Sequence, residues 1–237
     1  MKKIMFNDRY GLTQAVLDGT KKMTRRIIPD IEIDWVRRGK VTLPVGGFEN
    51  DVLFMDVRKI LPDMGPSDYS APTKYQPRYE RGEEVAVAQC YEDCWDYYQQ
   101  LWEAKNDPSD WHTPDAILGD QVGLTPGWKN KMFVRADLMP HRIRITDIRV
   151  ERLQDISRED CMREGIYYDL EGGRTIGYPI GVPFYYTFVG ALSKKTKKQL
   201  YWTTAKEAFS VLIDVISGKG TWQRNPWVYV YTFELLR

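Results

Sequence analysis

The stretch Arg142-Ile143-Arg144-Ile145-Thr146-Asp147-Ile148-Arg149-Val150-Glu151-Arg152-Leu153 alternates apolar and polar residues, as a half-buried strand does. Ile143 and Ile145 share one phase, while Ile148 and Val150 fall in the other. The alternation therefore slips near Thr146-Asp147, and one extra residue there predicts a β-bulge that bends the strand. Directly after it, Ser157-x-x-Asp160 reads as a capping box opening a helix that runs to Glu164 and stops at Gly165. Glu164 then stands at the C-terminal end of a helix, where an acidic group opposes the helix dipole. That placement marks Glu164 as a residue with a task other than stabilising its own helix.

Outward from this unit, Glu83 to Ala88 reads as a strand on the alternation of Val85 and Val87. Trp227 to Leu236 is apolar on both faces, as a strand covered on both sides would be. Ala205, Phe209, Leu212, Ile213 and Ile216 recur at helical spacing up to Gly218, which predicts a helix over 201–217. Near the N-terminus, Ile4-Met5-Phe6 reads as a first strand. Asn7 or Asp8 can cap a helix over 8–18 carrying Leu12, Ala15 and Val16 inward.

That helix ends at Gly19, and the chain continues as Thr20-Lys21-Lys22-Met23-Thr24-Arg25-Arg26. Four cations and a hydroxyl thus leave a helix end together. Lys21 and Thr24 would point to opposite faces of a straight strand, so a joint role for them demands a bend. The plain alternative is a solvated basic loop.

Three further regions read as additions to the sheet. Ile31 to Val36, Lys40 to Leu43 and Val52 to Val57 are β-rich pieces separated by Gly39 and Gly46-Gly47, and residues 62–77 read as a loop. Residues 91–130 are aromatic and turn-rich, a hydrophobic cover or an aromatic wall for a base. Residues 167–190 are rich in Gly and Tyr and read as a loop or lid. The cations Lys194, Lys195, Lys197 and Lys198 that follow read as a solvated surface.

Composition bounds the function classes. The 237 residues are 43% hydrophobic, 28% charged and 13% aromatic, an ordinary globular profile with room for one sizeable core. A net charge of +1 gives no bulk argument for nucleic acid, so any basic patch must be local. Cys90, Cys94 and Cys161 do not form a disulfide framework by number or spacing. With His112 and His141 as the only histidines, the ligand pattern argues against zinc, and no metal or other cofactor is expected. No apolar run reaches the roughly 18 residues of a membrane span. Met1-Lys2-Lys3 is not followed by the apolar segment of a signal peptide, so the expected location is the cytoplasm.

The motifs also resemble a family. Gly19-x-Lys21-x-x-Thr24-x-Arg26 is similar to the signature of the ASCH domain, a member of the PUA-like β-barrel superfamily. Lys74-Tyr75-Gln76-Pro77 followed by Gly82-Glu83 resembles the opening of one of its barrel strands. Met139-Pro140-His141-Arg142-Ile143, running through Thr146 to Ile156, resembles its second signature, and Asn225-Pro226-Trp227-Val228-Tyr229-Val230-Tyr231 its closing strand. The resemblance covers about half of the chain, in the family's order, and points to ASCH proteins of phages and prophages. It implies an α+β fold: one PUA-like barrel over residues 1–237 with flanking helices and insertions near 31–74, 91–130 and 167–200. The chain departs from its relatives after the strand at 83–88. Gln89-Cys90-Tyr91 stands where they carry an Arg-Glu-Thr-Trp-like segment.

Small bacterial ASCH enzymes hydrolyse N4-acetylcytidine with a lysine, a threonine and a glutamate. The resemblance places these at Lys21 as base, Thr24 as nucleophile and Glu164 as proton donor. A threonine hydroxyl needs a neighbouring base, and a lysine is one only if burial or nearby cations depress its pKa. Lys22, Arg25, Arg26 and Arg142 are the expected phosphate or ligand contacts. The rival reading is a non-catalytic RNA-binding module, or a ribonuclease, of phage origin. In it these cations hold phosphates and the inserted aromatics stack bases. A phage protein that binds a host protein is the third. The expected partner is a nucleoside or RNA, with no membrane; the sequence leaves the oligomeric state open.

Overall fold

The computed structural model describes residues 1–28, 48–49, 52–54, 74–75, 77–107, 109–123, 125–169, 184–187 and 201–236. It is a mixed α+β structure. The described residues form ten strands, β1 (Lys2–Ile4), β2 (Met23–Ile27), β3 (Phe48–Glu49), β4 (Val52–Phe54), β5 (Lys74–Tyr75), β6 (Glu84–Val87), β7 (Arg142–Arg152), β8 (Ile166–Asp169), β9 (Phe184–Thr187) and β10 (Trp227–Leu236). The α-helices among the described residues are α1 (Leu12–Leu17), α2 (Tyr91–Lys105), α3 (Pro114–Leu118), α4 (Arg158–Arg163), α5 (Ala205–Ser217) and α6 (Thr221–Arg224).

The main sheet has the order β1-β6-β7-β10-β2. Only β1 and β6 run parallel; the other neighbours are antiparallel. Inside the sheet, β10 pairs with both β7 and β2, and consecutive residues Val228, Tyr229, Val230 and Tyr231 are all buried, so both of its faces are covered there. This is why that segment reads as apolar in both phases. Opposite β10, Thr232 pairs with Asp147 and Phe233 with Ile145, leaving Thr146 as the extra residue. The bulge thus falls where the alternation slips. It lets Ile143, Ile145 and Ile148 all enter the core. Helix α5 lays Ala205, Ala208, Phe209, Leu212 and Ile213 into the same core. Each large apolar side chain so buried contributes on the order of 1.5–3 kcal/mol. β3-β4-β5 and β8-β9 form separate small sheets.

Several boundaries differ from the sequence reading. The first strand is Lys2–Ile4 rather than 4–6. The helix expected over 8–18 is a 3-10 turn, Asp8–Tyr10, then α1. Gly11 at φ 63 separates them. Helix α5 starts at Ala205, not 201, because Thr204 closes a full capping box with Glu207. The largest difference is α2, fifteen residues of helix inside a segment read as turn-rich cover. Tyr91 and Cys94 are buried there with Met139, Leu118 and Val134 in a second core. Of the β-rich pieces, Val52–Phe54 is a strand; Ile31 to Val36, Lys40 to Leu43 and 55–57 lie outside the described residues. So do most of the loops at 62–77 and 167–190 and the lysine run at 194–198. The described parts of those loops include β5 and the β8-β9 hairpin. No helix among the described residues is long and apolar enough to cross a membrane.

Candidate functional site: a buried lysine–glutamate pair beside a free hydroxyl

The bend demanded by Lys21 and Thr24 exists, and it lies before β2 begins. Helix α1 closes on Gly19 at φ 73, a left-handed conformation in which glycine is unstrained. The Thr20 hydroxyl and the Lys21 amide both donate to the Ala15 carbonyl, at 3.0 and 2.8 Å. Lys21 is therefore in the turn, and strand alternation begins only after it.

Residue 22 then joins two elements by its backbone. Its N–H donates to the Arg163 carbonyl at 2.8 Å, and its carbonyl accepts from Phe233 N–H at 3.0 Å. The end of α4 is thereby fixed beside the start of β2. Ser157 caps the other end of α4, accepting from Asp160 N–H, and Gly165 at φ 99 turns the chain away. Glu164 is the C-cap residue itself.

Lys21 Nζ donates to Glu164 Oε2 at 2.6 Å and to the Glu164 carbonyl at 2.8 Å. The lysine side chain is 2% exposed and the glutamate 5%. A cation on the last carbonyl of a helix is favourable, so Lys21 offsets the misplacement of Glu164 at the negative end of the dipole. Burial lowers the Lys21 pKa below its usual value; Glu164 opposes that shift and neighbouring Arg26 and Arg25 add to it.

Arg25, on β2, forks into three carboxylates. Its Nη1 donates to Glu164 Oε1 at 3.0 Å, its Nη2 to Glu151 Oε1 at 2.5 Å and to Asp160 Oδ2 at 3.2 Å. Arg149 closes the network on Glu151 and Asp160. Burial works against the Arg25 charge, but Glu164 and Glu151 outweigh it and hold the pKa above the ordinary value. Lys21, Arg25 and Arg149 thus face Glu151, Asp160 and Glu164, and the cluster is electrically balanced.

Thr24 is 5% exposed and pairs with Tyr231 across the sheet. Its hydroxyl has no hydrogen bond to the described residues. Lys21, Thr24, Arg25, Arg26 and Glu164 all line one cavity of about 720 Å3, walled on its apolar side by Phe6, Leu12, Phe209, Leu212, Ile213 and Ile216. Arg9, Lys129 and Lys131 add cations to its lining. The guanidinium of Arg26 is held by the Met5 carbonyl at 2.7 Å. No direct Lys21–Thr24 hydrogen bond forms; Lys21 is turned to Glu164 instead.

Two of the expected ligand contacts are elsewhere. The Lys22 side chain is exposed and does not line the cavity; it is the backbone of Lys22 that matters. Arg142 pairs with Leu236 and Ala86 at the far end of β7. Nine residues of strand put it roughly 30 Å from Glu151. Arg25 reaches the cavity wall but is committed to carboxylates. Among the expected cations, Arg26 alone lines the cavity with no carboxylate on its guanidinium among the described residues.

Sequence reading missed Glu151, Asp160 and Arg149. The signal was the alternation itself: Arg149 and Glu151 lie on one face of β7, two charges where a half-buried strand invites a partner. No family model, curated protein or solved structure matches the chain.

Proposed function

We propose that the chain is an ASCH-type protein on a PUA-like barrel, of the phage and prophage kind, and that it hydrolyses an N4-acylated cytidine in the cavity of Lys21, Thr24 and Glu164. The curl of the sheet supports the barrel: Arg26 on edge strand β2 reaches the carbonyl of Met5, just past edge strand β1. The observation that carries the activity is the buried 2.6 Å Lys21–Glu164 contact on the same cavity wall as the unbonded Thr24 hydroxyl. A cavity of about 720 Å3 is of the size that holds a nucleoside.

The chemistry follows from where one proton sits. The pair holds it as ammonium and carboxylate, or, after transfer along the short contact, as amine and carboxylic acid. The second form has a base and an acid side by side. The Lys21 amine takes the Thr24 proton as Oγ1 attacks the acyl carbon. The Arg26 guanidinium faces the cavity and is the candidate to stabilise the resulting oxyanion. Glu164 delivers its proton to the departing N4 amine, releasing cytidine and leaving the acyl group on Thr24. A water then gives its proton to the Glu164 carboxylate and attacks the acyl carbon; as the ester bond breaks, the Lys21 ammonium returns a proton to Thr24 Oγ1, the acid leaves, and the pair is again amine and carboxylic acid. Arg25 holds Glu164 in place through its 3.0 Å hydrogen bond to Oε1.

Incubation with N4-acetylcytidine should release cytidine and acetate. Thr24→Ala should fold normally and lose the activity by roughly a thousandfold or more. Absence of turnover in the unaltered protein would remove the enzymatic reading. A second reading, non-catalytic binding of RNA, is favoured by Arg9 and Lys129, which are exposed residues of the cavity lining.

A further inference from the structure

A second cleft opens between α1 and α2; it shares Asp8 with the lining of the first cavity, and Lys21 does not line it. Its volume is about 610 Å3, and Gln89, Asp93, Asp96, Tyr97, Asp18 and His141 help to line it. Gln89 is 7% exposed, and its side-chain Oε1 is fully buried with no hydrogen-bond partner among the described residues. It is the only such atom found there. A buried carbonyl oxygen left without a donor is costly, and native folds avoid it unless something else supplies the donor.

The surroundings say what that donor is. Asp8, Asp18, Asp93 and Asp96 line the cleft, and none of its described lining residues is Lys or Arg. Asp8 is already paired with Lys131 at 2.6 Å, and Asp18 accepts from Gln14 at 2.7 Å. Asp93 and Asp96 project from successive turns of α2, with Tyr97 beside them. Tyr97 packs edge-on against His141, ring centroids 4.6 Å apart. Burial lowers the His141 pKa, so at neutral pH the ring brings no charge of its own. Such a wall accepts hydrogen bonds and attracts positive charge. Among the described residues no three His, Cys, Asp or Glu groups are arranged to hold a metal ion. A compact ammonium head carries three donors and suits an acceptor-lined site without fixed coordination geometry.

We propose that this cleft binds a free alkylammonium compound, a diamine or linear polyamine, with the Gln89 side chain turning its orphan Oε1 out to accept from one ammonium and the charge held by Asp93 and Asp96. The site is independent of the hydrolytic reading.

Calorimetric titration of the full chain with putrescine and spermidine tests it, with butanediol as the uncharged control. The amines should bind and the diol should not. Gln89→Leu removes the orphan oxygen with little change of shape; it should keep or raise thermal stability and weaken binding by at least about tenfold. Asp96→Asn, at an exposed position that leaves the fold intact, should weaken it similarly, while Thr24→Ala should bind as the unaltered chain does. No binding at millimolar amine, or equal binding by the Gln89→Leu and Asp96→Asn proteins, would overturn the site. Tighter binding of N-acetyl-lysine methylamide than of either amine would overturn the free-amine assignment.

Discussion

At the scale of single residues, the site turns on the charge state of Lys21. Burial destabilises its ammonium form, so the neutral amine appears at lower pH than in a free lysine, whose value is 10.5. Because the active form carries the one proton the pair shares, kcat/KM should hold level around neutral pH and fall as pH rises through the lowered Lys21 pKa, with a midpoint below 10.5. A rate that instead climbs through that range would exclude the shared-proton mechanism. Stability moves the other way. The folded chain gives up this proton more readily than the unfolded one, so the penalty is full below the folded pKa and fades as pH rises towards 10.5. The alkaline gain should appear as a difference between the unaltered chain and Lys21→Met in urea unfolding. At neutral pH, Lys21→Met should cost about 3–5 kcal/mol, the scale of breaking a buried ion pair. Glu164 keeps Arg25 as a partner, which places the loss at the lower end. In the Lys21→Met/Glu164→Gln protein the two losses should not add.

At the scale of elements, two glycines close the helices that present Lys21 and Glu164, and they should respond differently. Gly165 has φ 99 and sits against Leu12 and the Lys21 side chain, with neighbours 3.5–3.9 Å from an added Cβ. Gly19 has φ 73 and open space around it. Alanine at either position should cost about 1–2 kcal/mol of backbone strain. Relaxing that strain at 165 displaces Glu164, so Gly165→Ala should also lower turnover, while Gly19→Ala should leave turnover per folded molecule nearly unchanged. Equal activity in both variants would mean that the α4 end does not position Glu164. These caps were legible in the sequence because they are local: glycine after a periodic segment, Ser157 three residues before Asp160. The bulge was legible for the same reason. Helix α2 was also written locally, in Tyr91, Cys94, Trp95, Tyr98 and Trp102 at helical spacing with Glu92 and Asp93 in the first turn. The density of aromatics and the turns that follow obscured it. The carboxylate network of Arg25 was not legible, because its partners Glu151, Asp160 and Glu164 lie 126 to 139 positions away and local pattern carries no such information. Arg142 misled in the opposite way: its motif position said nothing about which end of an eleven-residue strand faces the cavity.

At the scale of the whole molecule, a net charge of +1 and a balanced ion cluster set the expected response to salt. Hydrolysis of a free nucleoside should change little between low and moderate salt, since no phosphate is held. Binding of an RNA strand would instead fall steeply as counterion release is suppressed. A steep salt dependence of KM would favour the RNA reading and the cations Arg9 and Lys129 at its centre. The central claim is that one cavity brings a nucleophile, a base and an acid from distant parts of the chain onto an acylated cytidine. Crystals of the Thr24→Ala protein soaked with N4-acetylcytidine test this most directly. The account predicts the base inside the cavity, the acyl carbon within about 3–3.5 Å of where Thr24 Oγ1 would stand, and the N4 nitrogen on the side of Glu164. A nucleoside bound elsewhere, or seated with its acyl group turned away from residue 24, would contradict it.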